Sequence, residues 1–173
     1  MTDRDVDVLG KAPLFEALDE QGAKALRANV TEVRLSRGQT LFNEGETGDR
    51  LYVVLEGKIK LTRTSNDGRE NLLSVLGPGE MFGELSLFDP RPRTASAVAV
   101  TECRLAGLGH DDLRPWLTGH PEVAVQLLRA LAQRLRKTND VMADLVFTDV
   151  PGRVAKALLD LAERFGQPSD VGL

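Results

Sequence analysis

The chain has few of the residues that most catalytic and metal chemistry requires. A single cysteine, Cys103, among 173 residues excludes an intramolecular disulfide framework and fits a reducing compartment. Two histidines, His110 and His120, both fall outside the strand-like segments and form no pair beside a glutamate. The ligand set of a metal-dependent barrel enzyme is therefore lacking, and no metal is expected. No apolar run approaches the ~20 residues of a membrane helix. The N-terminal stretch 1–7 is acidic with no apolar core behind it, so a cytoplasmic protein without a membrane partner is expected. Positive charge is not in excess either. A formal net charge of −4 supplies no general field for nucleic acid, so DNA contact would need a local basic patch, and none stands out. Gly77, Gly79 and Gly83 have the wrong spacing for a dinucleotide loop, and Ser86 has no histidine or nucleophile-elbow context. No enzyme is expected. Cys103, in a strand with no neighbouring base, reads as a buried structural thiol.

What remains is the composition of an ordinary globular chain, long enough for one good core and a helical appendage. Short apolar patches at 6–9 and 14–15 suggest a brief helix and a turn, and Asp19 is a plausible cap for a helix over 20–28. From Val30 the apolar period changes to two. Segments 30–35, 40–42, 51–55, 58–63, 72–76, 94–100 and 102–108 read as strands, with Ile59 and Leu61 pointing inward. Asn66-Asp67-Gly68 is a hairpin signal, and the glycine-punctuated acidic loop 44–49 reads as a turn. This series predicts a mainly β fold with flanking helices, an antiparallel double-stranded β-helix (jelly-roll) barrel followed by a long helix.

One stretch interrupts the strands: Gly83-Glu84-Leu85-Ser86-Leu87-Phe88-Asp89-Pro90-Arg91-Pro92-Arg93-Thr94-Ala95-Ser96. Its parts suit a phosphorylated sugar. A glycine allows close backbone approach, Glu84 accepts hydrogen bonds from a ribose hydroxyl, and Arg93 offers a planar fork of donors to phosphate oxygens, with Thr94 adding a neutral donor. Leu61, Leu73 and Leu76 offer apolar walls for a base. An isolated Glu and Arg at this separation also occur as solvated surface residues or a weak ion pair.

A helical region starts at Asp111, and Pro121 opens the longest helix. There Leu128, Leu131, Leu135, Thr138, Met142 and Leu145 recur at alternating spacings of three and four, a coiled-coil seam. A polar Thr138 in that seam favours a second chain over packing within one domain. Arg129, Arg134, Arg136 and Lys137 read as a solvated face, with a membrane or partner groove as the alternative. Asp149 and Pro151 open a last amphipathic helix closed by Gly166 and Pro168. His110 reads as a cap or decoration of the helix that follows it.

Gly83-Glu84-Leu85-Ser86 with Pro92-Arg93-Thr94-Ala95 resembles the phosphate-binding cassette of cyclic-nucleotide-binding domains, above all in the cyclic-AMP receptor (CRP/FNR) family of bacterial regulators. The resemblance implies that Glu84 holds the ribose, that Arg93 and Thr94 hold the cyclic phosphate, and that Gly83, Leu85 and Ser86 belong to the same cassette. It implies a homodimer through helix 122–147, whose Thr138 and Asn139 reach the adenine of cyclic AMP. Asn139 departs from the hydroxyl pair of some members, and asparagine chemistry leaves cyclic GMP open. The implied organisation is a sensor over 1–121, a dimerisation helix over 122–147, and over 148–173 a hinge with the first helix of a DNA-binding domain whose remainder is missing. Operator DNA and the transcription machinery would be partners of the full-length protein only. Two rivals stand beside this reading: a ligand-independent dimerisation or scaffold module with a non-functional pocket, and a barrel-fold metal enzyme.

Overall fold

A computed structural model describes residues 1–65, 67–89 and 91–166 of the chain. Helices α1 (Asp3–Gly10), α2 (Pro13–Glu16) and α3 (Glu20–Arg27) lead into strands β1 (Thr31–Leu35), β2 (Thr40–Phe42), β3 (Arg50–Glu56), β4 (Ile59–Thr64), β5 (Glu70–Leu76) and β6 (Met81–Phe82). A short helix α4 (Leu85–Phe88) precedes β7 (Ser96–Ala99) and β8 (Cys103–Gly109), and α5 (His110–Gly119), α6 (Pro121–Phe147) and α7 (Val150–Phe165) complete the described chain. It divides into two units, residues 1–128 and the part from Arg129 onward.

Strand β3 decides the architecture of the first unit because it is apolar on both faces. Tyr52 and Val54 face a core shared with Ile59, Leu61, Leu76, Phe82, Ala97 and Leu105. Leu51, Val53 and Leu55 face the opposite way, against Leu9, Leu14, Leu26, Leu113, Val123 and Leu127 from the helices. A strand rises with side chains on alternate faces, so one continuous apolar run serves two cores. The first core is filled from two four-stranded antiparallel sheets, ordered β1-β8-β3-β6 and β2-β7-β4-β5, which is the expected jelly-roll plan. No pairing closes the two sheets into a continuous ring among the described residues.

Both irregularities in the second sheet fall beside the interrupting stretch. Leu61 pairs with Ser74 but Thr62 with Leu72, so Leu73 is the extra residue of a bulge. Strict alternation fails there, and Leu73 is 51% exposed, whereas Leu61 and Leu76 turn into the core. Of the three leucines expected to flank a base, Leu73 therefore lies outside the core that Leu61 and Leu76 share. In β2, Thr40 pairs with Val98 and Phe42 with Ala97, a second bulge. The hairpin turn has Gly68 at φ +81°; Asn66 of the expected signal lies outside the described residues.

Helix boundaries follow their caps. Asp19 accepts from Gly22 N–H at 2.7 Å at the start of α3, and Asp149 accepts from Gly152 N–H at 2.9 Å at the start of α7. Helix α1 begins three residues before the expected patch because Thr2 and Asp5 form a capping box, Thr2 N–H donating to Asp5 Oδ2 at 2.7 Å. In the second unit, Lys137 pairs with Asp160 at 3.2 Å and Lys156 with Asp144 at 2.7 Å, so the end of α6 and helix α7 run antiparallel. Gly166 ends α7; Pro168, expected to follow it, lies outside the described residues.

Candidate functional site

Gly83 leaves β6 at φ +80°, in the left-handed region that a side chain disfavours, and this turn starts α4. Within the turn and helix, Glu84, Ser86 and Leu87 are buried while Leu85 and Phe88 are exposed. Leu87 joins the helix-side core, and its carbonyl accepts from Arg114 Nη2 at 2.9 Å and Nε at 3.2 Å, which ties α4 to α5. Two polar side chains of a short helix are thus held inside the protein.

The guanidinium of Arg93 enters the same interior, only 7% of the residue being exposed, against 2% for Glu84. Nη1 donates to the Gly83 carbonyl at 3.0 Å and to Ser86 Oγ at 3.2 Å, and Nη2 donates to the Arg50 carbonyl at 2.7 Å. Nε is buried with no hydrogen-bond partner. Its Cζ lies 4.2 Å from the centroid of the Phe42 ring. Arg93 makes no ion pair among the described residues. Carbonyl dipoles and one hydroxyl satisfy part of the cation, and its full charge has no counter-ion in contact there.

That is an electrostatically expensive arrangement, since a buried ion is favourable only when paired. Burial lowers the Arg93 pKa, and the surrounding Tyr52, Asp49, Glu84 and Glu46 oppose that shift. Burial likewise raises the Tyr52 phenol, with the Arg93 charge pulling the other way. An arginine so placed stays charged and is complementary to a small anion.

The main chain of Arg93 is as firmly held as its side chain. Its N–H donates to the Glu46 carbonyl at 2.7 Å, and its carbonyl accepts from Gly45 N–H at 2.8 Å. Glu44 N–H donates to Ser96 Oγ at 2.9 Å. The acidic loop after β2, expected to be only a turn, therefore pairs with the returning end of the cassette. His110 also differs from its expected role. It starts α5 with its side chain buried and Nε2 without a partner, and its N–H donates to the Asp49 carbonyl at 2.8 Å. Burial first, then the Arg93 and Arg114 charges, lower its pKa, while Asp49 and Asp111 raise it.

Among the expected site residues, Gly83, Glu84, Ser86 and Arg93 come together. Leu61 lies in the adjoining core, and Leu85, Thr94 and Leu73 are exposed. Thr138 and Asn139 occupy an exposed stretch of α6 in the second unit, where Thr138 Oγ1 donates to the Arg134 carbonyl at 3.0 Å. Phe42, the Arg50 carbonyl and Gly48, whose α-carbon faces the guanidinium so closely that a Cβ there would fall 2.8 Å from Arg93 Nε, were not anticipated. Only the glycines around the acidic loop hint at close approach, and a carbonyl leaves no sequence signal.

Cys103 is buried, its thiol donating to the Lys58 carbonyl at 3.2 Å, as expected of a structural cysteine. No group of three or more potential metal ligands occurs among the described residues. No helix there is long and apolar enough to cross a membrane.

Comparison with known proteins agrees with this geometry. The family model for the cyclic nucleotide-binding domain matches residues 32–120. A CRP-like cAMP-activated global transcriptional regulator of Mycobacterium tuberculosis is 53% identical over 160 residues, covering 92% of this chain and 71% of the relative. The solved N-terminal domain of a transcriptional regulator from Streptomyces coelicolor is 64% identical, with a TM-score of 0.65 and coverage of 83% of this chain and 99% of that one. The catabolite activator protein of Thermus thermophilus is 38% identical with a TM-score of 0.72, covering 89% of this chain and 72% of that structure.

Proposed function

The chain belongs to the CRP/FNR family and carries its cyclic-nucleotide-sensing module, and from that premise we propose that its ligand is cyclic AMP, bound in a homodimer. The observation that carries the proposal is the buried Arg93 guanidinium, with Nε unsatisfied and no carboxylate in contact among the described residues. A cyclic phosphodiester brings one negative charge and acceptor oxygens, which is what that cation lacks. Glu84 would accept from the ribose hydroxyl, with Gly83, Leu85, Ser86 and Thr94 completing the cassette and Leu61 and Leu73 beside the base. Thr138 and Asn139 would contact the base from the dimer helix.

The proposed division of labour is a sensor over 1–121, a dimerisation helix over 122–147, and a hinge with a first helix over 148–173. A ligand that touches both cassette and dimer helix has different contacts in different helix arrangements, which is the condition for it to shift their populations. In the full-length cytoplasmic protein, that shift would control binding to operator DNA and engagement of the transcription machinery. The module performs no catalytic step in this scheme. The name of the Mycobacterium tuberculosis relative, a cAMP-activated regulator, favours cyclic AMP over cyclic GMP.

Calorimetric titration with each nucleotide tests the reading. Cyclic AMP should bind more tightly than cyclic GMP, and Arg93→Leu should weaken it about 30-fold or more, equivalent to about 2 kcal/mol for a charge-assisted buried contact. Equal binding by wild type and variant would remove Arg93 from the site.

A further inference from the structure

We infer that Phe42 is a positioning residue for ligand binding, an aromatic face that holds the Arg93 guanidinium flat and aimed before any anion arrives. The inference rests on the reading of Arg93 as the phosphate-binding cation. It starts from the bulge in β2. In an unbroken strand Leu41 and Phe42 would point to opposite faces, yet both pack against the inter-sheet core. The extra residue there re-aims a side chain, a recurrent use of bulges beside binding sites. What it brings to Arg93 is the Phe42 ring, 4.2 Å from Cζ.

The ring is itself braced. Its centroid lies 6.1 Å from those of both Tyr52 and Phe82, and these two stack on each other at 5.5 Å. Three rings from three strands thus form a platform inside the core, and the guanidinium rests on its edge ring. The strand carrying Phe42 continues into the loop whose Gly45 and Glu46 hold the Arg93 main chain. Backbone and side chain of Arg93 are therefore positioned by the same segment.

Charge explains why an aromatic suits this place better than an aliphatic. A guanidinium over a ring face gains attraction from the ring quadrupole, and the gain is larger where water is excluded. Leucine would fill similar space and leave the cation on an inert surface. Arg93 would then sample more rotamers, and ordering it would be charged against the ligand.

The test compares cyclic AMP affinity in the full chain for wild type, Phe42→Leu, Phe42→Tyr, Arg93→Leu and the Phe42→Leu/Arg93→Leu pair, titrating to millimolar ligand. Phe42→Leu should weaken binding about tenfold, Phe42→Tyr should bind like wild type, and Phe42→Leu should add no loss in the Arg93→Leu background. If Phe42→Leu binds like wild type, if tyrosine fails to restore binding, or if the Phe42→Leu loss persists undiminished in the Arg93→Leu background, the inference is wrong. Should Phe42→Leu fail to fold, Phe42→Met takes its place with the same expectations. Wild-type binding by Arg93→Leu alone would instead refute the underlying site.

Discussion

A Cβ placed on Gly48 would fall 2.8 Å from both Cζ and Nε of Arg93, and 2.5 Å from Ser86 Oγ. The acidic loop therefore lies against the guanidinium with no room for a side chain. On another side, a Cβ on Gly83 would fall 2.8 Å from Nη1. Two glycines, from segments far apart in sequence, leave a space that one arginine occupies.

Gly48 lies outside the left-handed region, so alanine there brings no backbone strain and acts through overlap alone. The softest neighbour is the end of the Arg93 side chain, which must move. Gly48→Ala should lower cyclic AMP affinity about tenfold, for the loss of one well-aimed charged contact. Its thermal midpoint should fall by only a few degrees, the scale of about 1 kcal/mol. Calorimetry beside a melting curve decides it, and wild-type affinity would show that Arg93 tolerates displacement.

Arg104 fastens the N-terminal helix to the sheet. Its Nη1 and Nη2 donate to the two oxygens of buried Asp5 at 3.1 and 2.9 Å, while Nε and Nη2 also reach Glu32. Those hydrogen bonds from Arg104 come first in lowering the Asp5 pKa from 3.8 to about 2. A depressed carboxylate pKa stabilises the fold fully above the unfolded value and loses that contribution as pH falls through the folded one. Stability should therefore decline between about pH 4 and pH 2 by about 1–2 kcal/mol from this group. Urea unfolding of Asp5→Asn should be weaker at pH 7 and flatter across that window.

Much of this fold is legible because burial imposes period. The apolar run 51–55 and the alternation at 59–61 mark strands, since each face meets a core. The two-residue strand β6 escapes because it is too short to show any period. The exposure of Leu73 is illegible for a different reason: the bulge that turns it out of the core is a property of the pairing with β4. The cassette is recognisable because Gly83, Glu84, Ser86 and Arg93 are near in sequence. Phe42, Gly48 and the Arg50 carbonyl become partners of Arg93 only through tertiary pairing, which no local pattern encodes.

His110 enters the fold as a buried imidazole beside two cations, Arg93 and Arg114, with Asp49 and Asp111 in partial opposition. Its pKa lies below the ordinary 6.5. Below that value the unfolded chain takes up a proton that the folded chain resists, so stability present above about pH 6.5 is lost as pH falls toward the folded pKa. Ligand-free protein should melt at lower temperature as pH drops below about 6.5. His110→Gln should flatten this limb while leaving the Asp5 limb at lower pH intact. An unchanged limb in the variant would assign it elsewhere.

Leu128, Leu135, Met142 and Leu145 of the α6 seam are all strongly exposed in the single chain, Leu135 by 62%. With Leu131 and Thr138 between them they repeat at alternating spacings of four and three, which fits the a and d positions of the proposed helix pair. Leu135→Glu places a charge in that seam, and sedimentation should show the dimer dissociating at concentrations where wild type stays paired, with a dissociation constant raised about 100-fold or more. Thr138→Leu does the reverse: it replaces a hydroxyl that bonds the Arg134 carbonyl with an apolar knob. That variant should dimerise at least as tightly and bind cyclic AMP about tenfold more weakly, because the group proposed to meet the base is gone. If Thr138→Leu dimerises and binds like wild type, the helix serves association alone and the base is recognised elsewhere.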